Sequence, residues 1–590
     1  MRKIWKIVTG FLAVTGALTL LVLLGIAYGL THIADATPSL PKQIVLDIDL
    51  NQGVVDQPSA HDPLEKFTKA HGPLHLQDAI EALEQASADA RVKALNIRLG
   101  SSGLEMAQAQ ELRAAILKFS ASGKFVQAYA DSFGEMGGGT VDAYLASAAS
   151  EIWMQPSGDM GLIGFSAEMP FARGSLDLLG IKPEFQRRHE YKSAVESFTE
   201  KTMTPEARAS LKSLLDSWLE QVVAGISEGR KLKPETVRQL IDQAPLSADE
   251  AMAAHLIDKL GYEDESDDAL DKRYPEAEPV DIADFLQDVG SLHAKGKHKI
   301  AVIHAQGPVV GGSDSQPFGG RSSVIAAEDV LGALADAMDD KDVVAIILRI
   351  DSPGGSYLAS DTIWRGVKKA REGGKPVIAS IGPMAASGGY FIAMGTDRIL
   401  AEPGSITGSI GVFAGKLVIT DFLAKLGLAF DEVDAGANAG LLSMNRPFSP
   451  EQNAKMTTML DRIYADFTTK AGDGRKLDAE AMDKVARGRV FTGSQALKAG
   501  LIDELGGLES AIVAAKKAAK LADETPVRLV YLPKPLSQLE KLASLLEGGN
   551  LPLGIHALAR VGLKLDAALA RLGLIEAREN ARLAPVNFSH

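Results

Sequence analysis

The chain has 590 residues, too many for one hydrophobic core, and its 46% hydrophobic and 23% charged content is that of a globular protein rather than a disordered one. A formal net charge of −14 gives no basic footprint for nucleic acid, and no nucleic-acid partner is expected. There is no cysteine, which excludes a cysteine nucleophile, an iron–sulfur cluster and a cysteine-based zinc site.

The first readable segment is 7–31, which has no charged residue and is rich in Leu, Val, Gly and Ala. That length spans a bilayer as one helix. Arg2, Lys3 and Lys6 precede it and acidic residues begin only at Asp35, so the positive-inside rule leaves 1–6 in the cytoplasm and exports the rest. Trp5 and Tyr28 suit the two interfaces. Ala34-Asp35-Ala36 leaves cleavage as a signal peptide open, but the apolar run is long for a signal-peptide core and favours a retained transmembrane anchor.

The remainder contains an internal repeat. VKALNIRL (92–99) recurs as VVAIILRI (343–350), GKFV (123–126) as GKPV (374–377), and QPSGDMGLIGF from Gln155 as EPGSITGSIGVF from Glu402. TPEARASLKSLLDSWLEQ from Thr204 matches SPEQNAKMTTMLDRIYAD from Ser449, and AHLIDKLG (254–261) matches AGLIDELG (499–506). A period this long is that of a duplicated domain, not of a solenoid. In each copy β-branched runs such as IVLDIDL (44–50) and IAVIHA (300–305) alternate with helical stretches such as AAEDVLGALADAM (326–338), which predicts α/β domains on parallel sheets. The expected copies are 44–262 and 298–532, with a linker at 263–297 where the composition turns polar. Residues 533–590 read as a helical extension matching neither copy.

Ligand chemistry in such sheets gathers beyond the carboxyl ends of the strands. In the second copy one strand runs into Asp351-Ser352-Pro353-Gly354-Gly355-Ser356, whose glycines allow positive φ and bring bare backbone N–H groups close to a ligand. On its own this reads more readily as an ordinary turn. The next strand leads into IGPMAASGGYFIAMG (381–395), where Ser387 lies between small residues ahead of a helix-like run; it reads as a nucleophile or as a plain N-cap. The segment is not a Gly-x-Ser-x-Gly elbow. None of the 11 histidines falls between 322 and 550, and His304 sits inside an apparent strand. No Ser-His-Asp set emerges. Two bases remain: His189, and Lys192 three residues later in HEYKSAVESFT, whose amine could serve as a base if desolvated but could equally be a solvated surface lysine.

Taken together, DSPGGS, MAASGGY, TGSIG and the EYKSAVE of the earlier copy resemble the long, duplicated form of the signal peptide peptidase A (protease IV) family over nearly the whole chain. The resemblance implies two tandem ClpP/crotonase-like domains after one transmembrane helix. It implies a serine endopeptidase with Ser387 as nucleophile and Lys192 as general base. The backbone N–H groups of Gly354 or Gly355 and of Gly388 would form the oxyanion site, and Ser409 would orient the lysine. It implies no metal and no cofactor. Cleaved signal peptides and other short unfolded peptides are the expected substrates, and the expected setting is a homotetramer at the bacterial inner membrane with periplasmic catalytic domains.

The repeat checks this residue by residue. Pro353-Gly354-Gly355 has Ser102-Gly103-Leu104 as its first-copy counterpart, and Ser387 has Thr140 nearby. The second-copy counterpart of the lysine segment, AGANAGLLSMN (435–445), has no lysine. Each copy keeps half of a dyad, so a complete site needs both, within one chain or between chains. The alternatives are a crotonase-type acyl-CoA enzyme, which export argues against, and a catalytically inactive envelope scaffold.

Overall fold

Strands and helices alternate twice along the chain in the computed structural model, which describes residues 40–57, 73–135, 137–294, 296–313 and 324–534. The expected anchor at 7–31 lies outside the described residues, as does the extension beyond residue 534. Among the described residues no helix is long and apolar enough to cross a membrane. Residues 42–58 and 71–535 form one compact unit that holds both copies.

The first copy contains strand β1 (Ile44–Asp49), helix α1 (Leu76–Ala88), β2 (Val92–Arg98), α2 (Met106–Ala121), β3 (Phe125–Ala130), α3 (Thr140–Ala146), β4 (Glu151–Met154), β5 (Lys182–Arg188), α4 (Pro205–Arg230), β6 (Lys259–Leu260) and β7 (Glu278–Asp281). Six of these strands form a parallel sheet in the order β6-β4-β3-β2-β1-β7. Of the stretch expected as a linker, 263–297, the described residues 263–294 are therefore structured. They hold a helix at Glu263–Arg273, the edge strand β7, and a helix at Ile282–Val289 capped by Asp281. Leu270, Val280, Ile282 and Phe285 are buried, and these scattered apolar positions anchor a segment whose polar average hides them.

The second copy repeats the plan with β8 (His298–Gln306), α5 (Ala327–Asp339), β9 (Val343–Ser352), α6 (Tyr357–Glu372), β10 (Val377–Ala386), α7 (Gly388–Ala393), β11 (Arg398–Ala401), β12 (Ile406–Gly408), β13 (Val412–Val418), α8 (Pro450–Arg475), β14 (Val490–Thr492), β15 (Glu504–Leu505) and β16 (Val527–Leu532). The path is β14-β12-β10-β9-β8-β16, with β11 on β10 and β15 on β11. Ala301 and Ile303 enter one core cluster while Ile300 and Val302 enter another. Both faces of the central strand are buried, which is why it reads as an unbroken apolar run.

Among the contacts that join the copies, two stand out. Strand β5 of the first copy pairs antiparallel with β13 of the second, Lys182 opposite Val418 and Arg188 opposite Val412. Deeper, Arg349 on β9 is 1% exposed. Its guanidinium donates to Asp56 at 2.9 and 3.2 Å and to Glu111 at 2.6 Å, both from the first copy.

Candidate active site

Strand β10 stops at Ala386, and Ser387 takes φ +53° and ψ −114° before α7 begins. Such a conformation costs a non-glycine residue on the order of 1–3 kcal/mol and persists only where neighbours enforce it. Here Ser387 N donates to Gly408 O of β12 at 2.8 Å, and Phe391 N donates to Ser387 O at 2.9 Å. The backbone thus turns sharply at the end of a buried strand. Ser387 occupies the N-cap position but its side chain caps nothing. Its hydroxyl oxygen instead accepts from Lys192 Nζ at 2.9 Å.

Lys192 follows β5, and the β5–β13 pairing carries it across to the second copy. It is 4% exposed. Its Nζ donates to Ser409 O at 2.8 Å and lies 2.9 Å from Ser409 Oγ. No carboxylate pairs with it among the described residues. Burial alone pushes the amine down from 10.5 to about 7. The pair therefore closes within one chain. His189, the other base considered, packs its ring edge against Tyr464 at 4.6 Å between centroids.

The glycine turn lies against this pair. Gly354 has φ +106° and Gly355 φ +156°. A Cβ on Gly354 would stand 2.7 Å from Ser387 Cβ and 2.8 Å from Gly388 N, so only bare backbone fits there. The N–H of Gly354 is not free: it donates to Ser352 Oγ at 3.1 Å. The N–H groups of Gly355 and Gly388 take no partner among the described residues, and a Cβ on Gly388 would stand 3.0 Å from Gly355 N. Of the candidate donors, Gly355 and Gly388 are the available pair.

Ser409 also has a left-handed backbone, φ +53°, and its N donates to Arg489 O at 2.6 Å. That contact introduces a segment the sequence reading passed over. Arg487-Gly488-Arg489 touches both the lysine loop and the Ser409 turn. A signal was present, because the first copy has Asp242-Gln243-Ala244 at the matching place. The first copy's own counterpart site is closed off. Thr140 Oγ1 donates to Gly164 O at 3.1 Å, and Ser102 Oγ donates to Asp142 at 2.5 Å.

The sequence profile of peptidase family S49 matches residues 118–274 and 369–522, one segment in each copy. The chain is 33% identical over 482 residues to a chloroplastic serine protease SPPA of Arabidopsis thaliana, covering 80% of this chain and 70% of that one. It is 31% identical over 486 residues to Protease 4 of Haemophilus influenzae, covering 79% and 77% respectively. It is 29% identical over 554 residues to Protease 4 of Salmonella typhi, covering 88% of each chain.

Proposed function

We propose that this chain, which belongs to peptidase family S49 and is a serine-type peptidase, cuts peptide bonds with Ser387 as nucleophile and Lys192 as general base. One observation carries the reading: a buried amine, lowered to about 7, lies 2.9 Å from the hydroxyl of a serine at a strained strand-to-helix turn. A neutral amine offers two N–H groups to Ser409 and its lone pair to Ser387. Ser387 Oγ loses its proton to Lys192 Nζ as it attacks the substrate carbonyl carbon. The carbonyl oxygen becomes an oxyanion, stabilised by the N–H groups of Gly355 and Gly388. Lys192 then gives the proton to the leaving amine nitrogen as the C–N bond breaks. Water, deprotonated in turn by Lys192, releases the acyl group from Ser387. No step calls for a metal or cofactor.

Cleaved signal peptides and other short unfolded peptides are the proposed substrates, and the proposed setting is the bacterial inner membrane. The uncharged run at 7–31 and its basic flank support a single anchor with the catalytic copies on the periplasmic side. Assembly into a homotetramer belongs to the same reading. Counterparts of β5 and β13 in the other copies are 429–435 and 165–171, which form no strand and pair with none among the described residues. Val433 is 100% exposed and Phe430 53%. Two such segments, one in each copy, support head-to-tail joining through the pairing already used inside the chain.

The test follows hydrolysis of a fluorogenic peptide with Leu or Ala before the scissile bond, using the full-length chain in detergent. Ser387→Ala and Lys192→Ala are each expected to lower kcat by about 10³-fold or more with folding intact. Undiminished activity in either variant removes that residue from the mechanism. Full biological function in Ser387→Ala would revive the scaffold alternative.

A further inference from the structure

The base and nucleophile are 195 residues apart in sequence and arrive on different copies, so something must set their spacing. Lys192 itself sits on an irregular segment after β5, outside the regular pairing with β13. The second-copy loop Arg487-Gly488-Arg489, leading into β14, fills the gap. Arg487 donates bidentately to Glu190 at 2.8 and 2.9 Å, and its carbonyl accepts from Tyr191 N at 3.2 Å. The Arg489 guanidinium lies 3.9 Å over the Tyr191 ring and donates to its hydroxyl at 2.9 Å. Between them Gly488, at φ +88°, presses on Lys192: a Cβ there would stand 2.6 Å from Lys192 Cα. On its other side the same loop binds the Ser409 turn, through Gly488 N to Ile410 O at 2.8 Å and Arg489 O to Ser409 N.

We infer that Arg487 and Arg489 are positioning residues that clamp Glu190 and Tyr191, hold the Lys192 amine against Ser409 and Ser387, and keep water from it. The inference rests on the Ser387–Lys192 reading. A bidentate pair and a stacked guanidinium fix direction as well as distance. Because the amine is lowered by burial and not by a neighbouring cation, admitting water raises it. Of the charged groups around the amine's segment, Arg489 meets Tyr191 and has no carboxylate partner among the described residues, while the others are paired. Arg187 is held by Glu196, Arg188 by Asp461, and Arg487 by Glu190 and Asp483, while His189 packs on Tyr464.

The test is the pH profile of kcat for the full-length wild type, Arg487→Met, Arg487→Lys and the exchanged pair Glu190→Arg with Arg487→Glu, with Lys192→Ala as control. In Arg487→Met the ascending limb should move up by about one pH unit, with kcat down about fivefold at pH 7 and regained near pH 10, at unchanged KM. Arg487→Lys should retain part of the effect, and the exchanged pair should return the limb toward its original position. An unmoved limb in Arg487→Met, or kcat lowered equally at every pH, overturns the clamp. Should Arg487→Met fail to fold, Tyr191→Phe removes only the hydroxyl partner of Arg489; a limb shifted upward supports the clamp, and an unmoved one overturns it. Activity persisting in Lys192→Ala with the same limb would mean that the lysine-base reading has failed, a result distinct from failure of the clamp.

Discussion

Lys192 Nζ lies 2.8 Å from the carbonyl oxygen of Ser409 and 2.9 Å from its hydroxyl, so one second-copy residue contacts the first-copy amine twice. The two contacts differ in what a substitution can remove. Ser409→Ala deletes the hydroxyl and leaves the carbonyl, and the expected loss is about 1 kcal/mol, or roughly five- to tenfold in kcat. A loss beyond about 10³-fold in steady-state hydrolysis would mean that the hydroxyl takes part in proton transfer, not only in orientation.

The lowered amine fixes the direction of the pH response. Only neutral Lys192 can accept a proton, so kcat should rise about tenfold per unit below pH 7 and level off above about pH 8. A flat profile from about pH 6 to 10 would exclude a lysine base. Stability carries the same sign. Between about 7 and 10.5 the unfolded chain holds a proton on this lysine that the folded chain does not. Wild type should therefore gain on Lys192→Met by about 1.4 kcal/mol per pH unit in that window, read from urea midpoints at pH 7, 8 and 9.

Gly103 and Gly354 hold the same place in the two copies and both have positive φ, +68° and +106°. A Cβ on Gly103 meets nothing within 4 Å, whereas one on Gly354 strikes Ser387 Cβ at 2.7 Å. Gly103→Ala should cost about 1 kcal/mol of backbone strain and leave kcat unchanged. Gly354→Ala should abolish turnover while the chain still folds. Equal effects on activity would mean that the turn beside Ser387 is not part of the site.

Arg349 holds two buried carboxylates, Asp56 and Glu111, from the other copy. Arg349→Met leaves both without their cation, and removal of one partner from such a pair typically costs about 3–5 kcal/mol. Urea unfolding measures it. A cost below about 1 kcal/mol would show that the carboxylates take up protons when the arginine is gone.

The exposed counterpart segments make assembly testable. Phe430→Lys with Val433→Lys places charge on the exposed 429–435 segment, and light scattering should show smaller species than wild type. Unchanged mass would remove that segment from the interface.

The sequence by itself determined the duplication, the α/β plan of each copy, and the complementary pattern in which Lys192 and Ser387 survive in different halves. These are properties of a repeat that can be read by aligning the chain with itself, of β-branched runs between helical stretches, and of glycines where backbone must be bare. The polar stretch 263–297 misled because its few apolar anchors are visible only when Val280 and Phe285 meet the first sheet. Tertiary structure decided the rest. It brought Lys192 to Ser387 within one chain, engaged the Gly354 N–H with Ser352, and placed Arg487-Gly488-Arg489 between the Lys192 segment and the Ser409 turn. The Lys192 amine is lowered here through burial by groups some 200 to 300 residues away in the chain. Local pattern sets which elements form, but only their packing sets the distances and the water exclusion on which the chemistry depends.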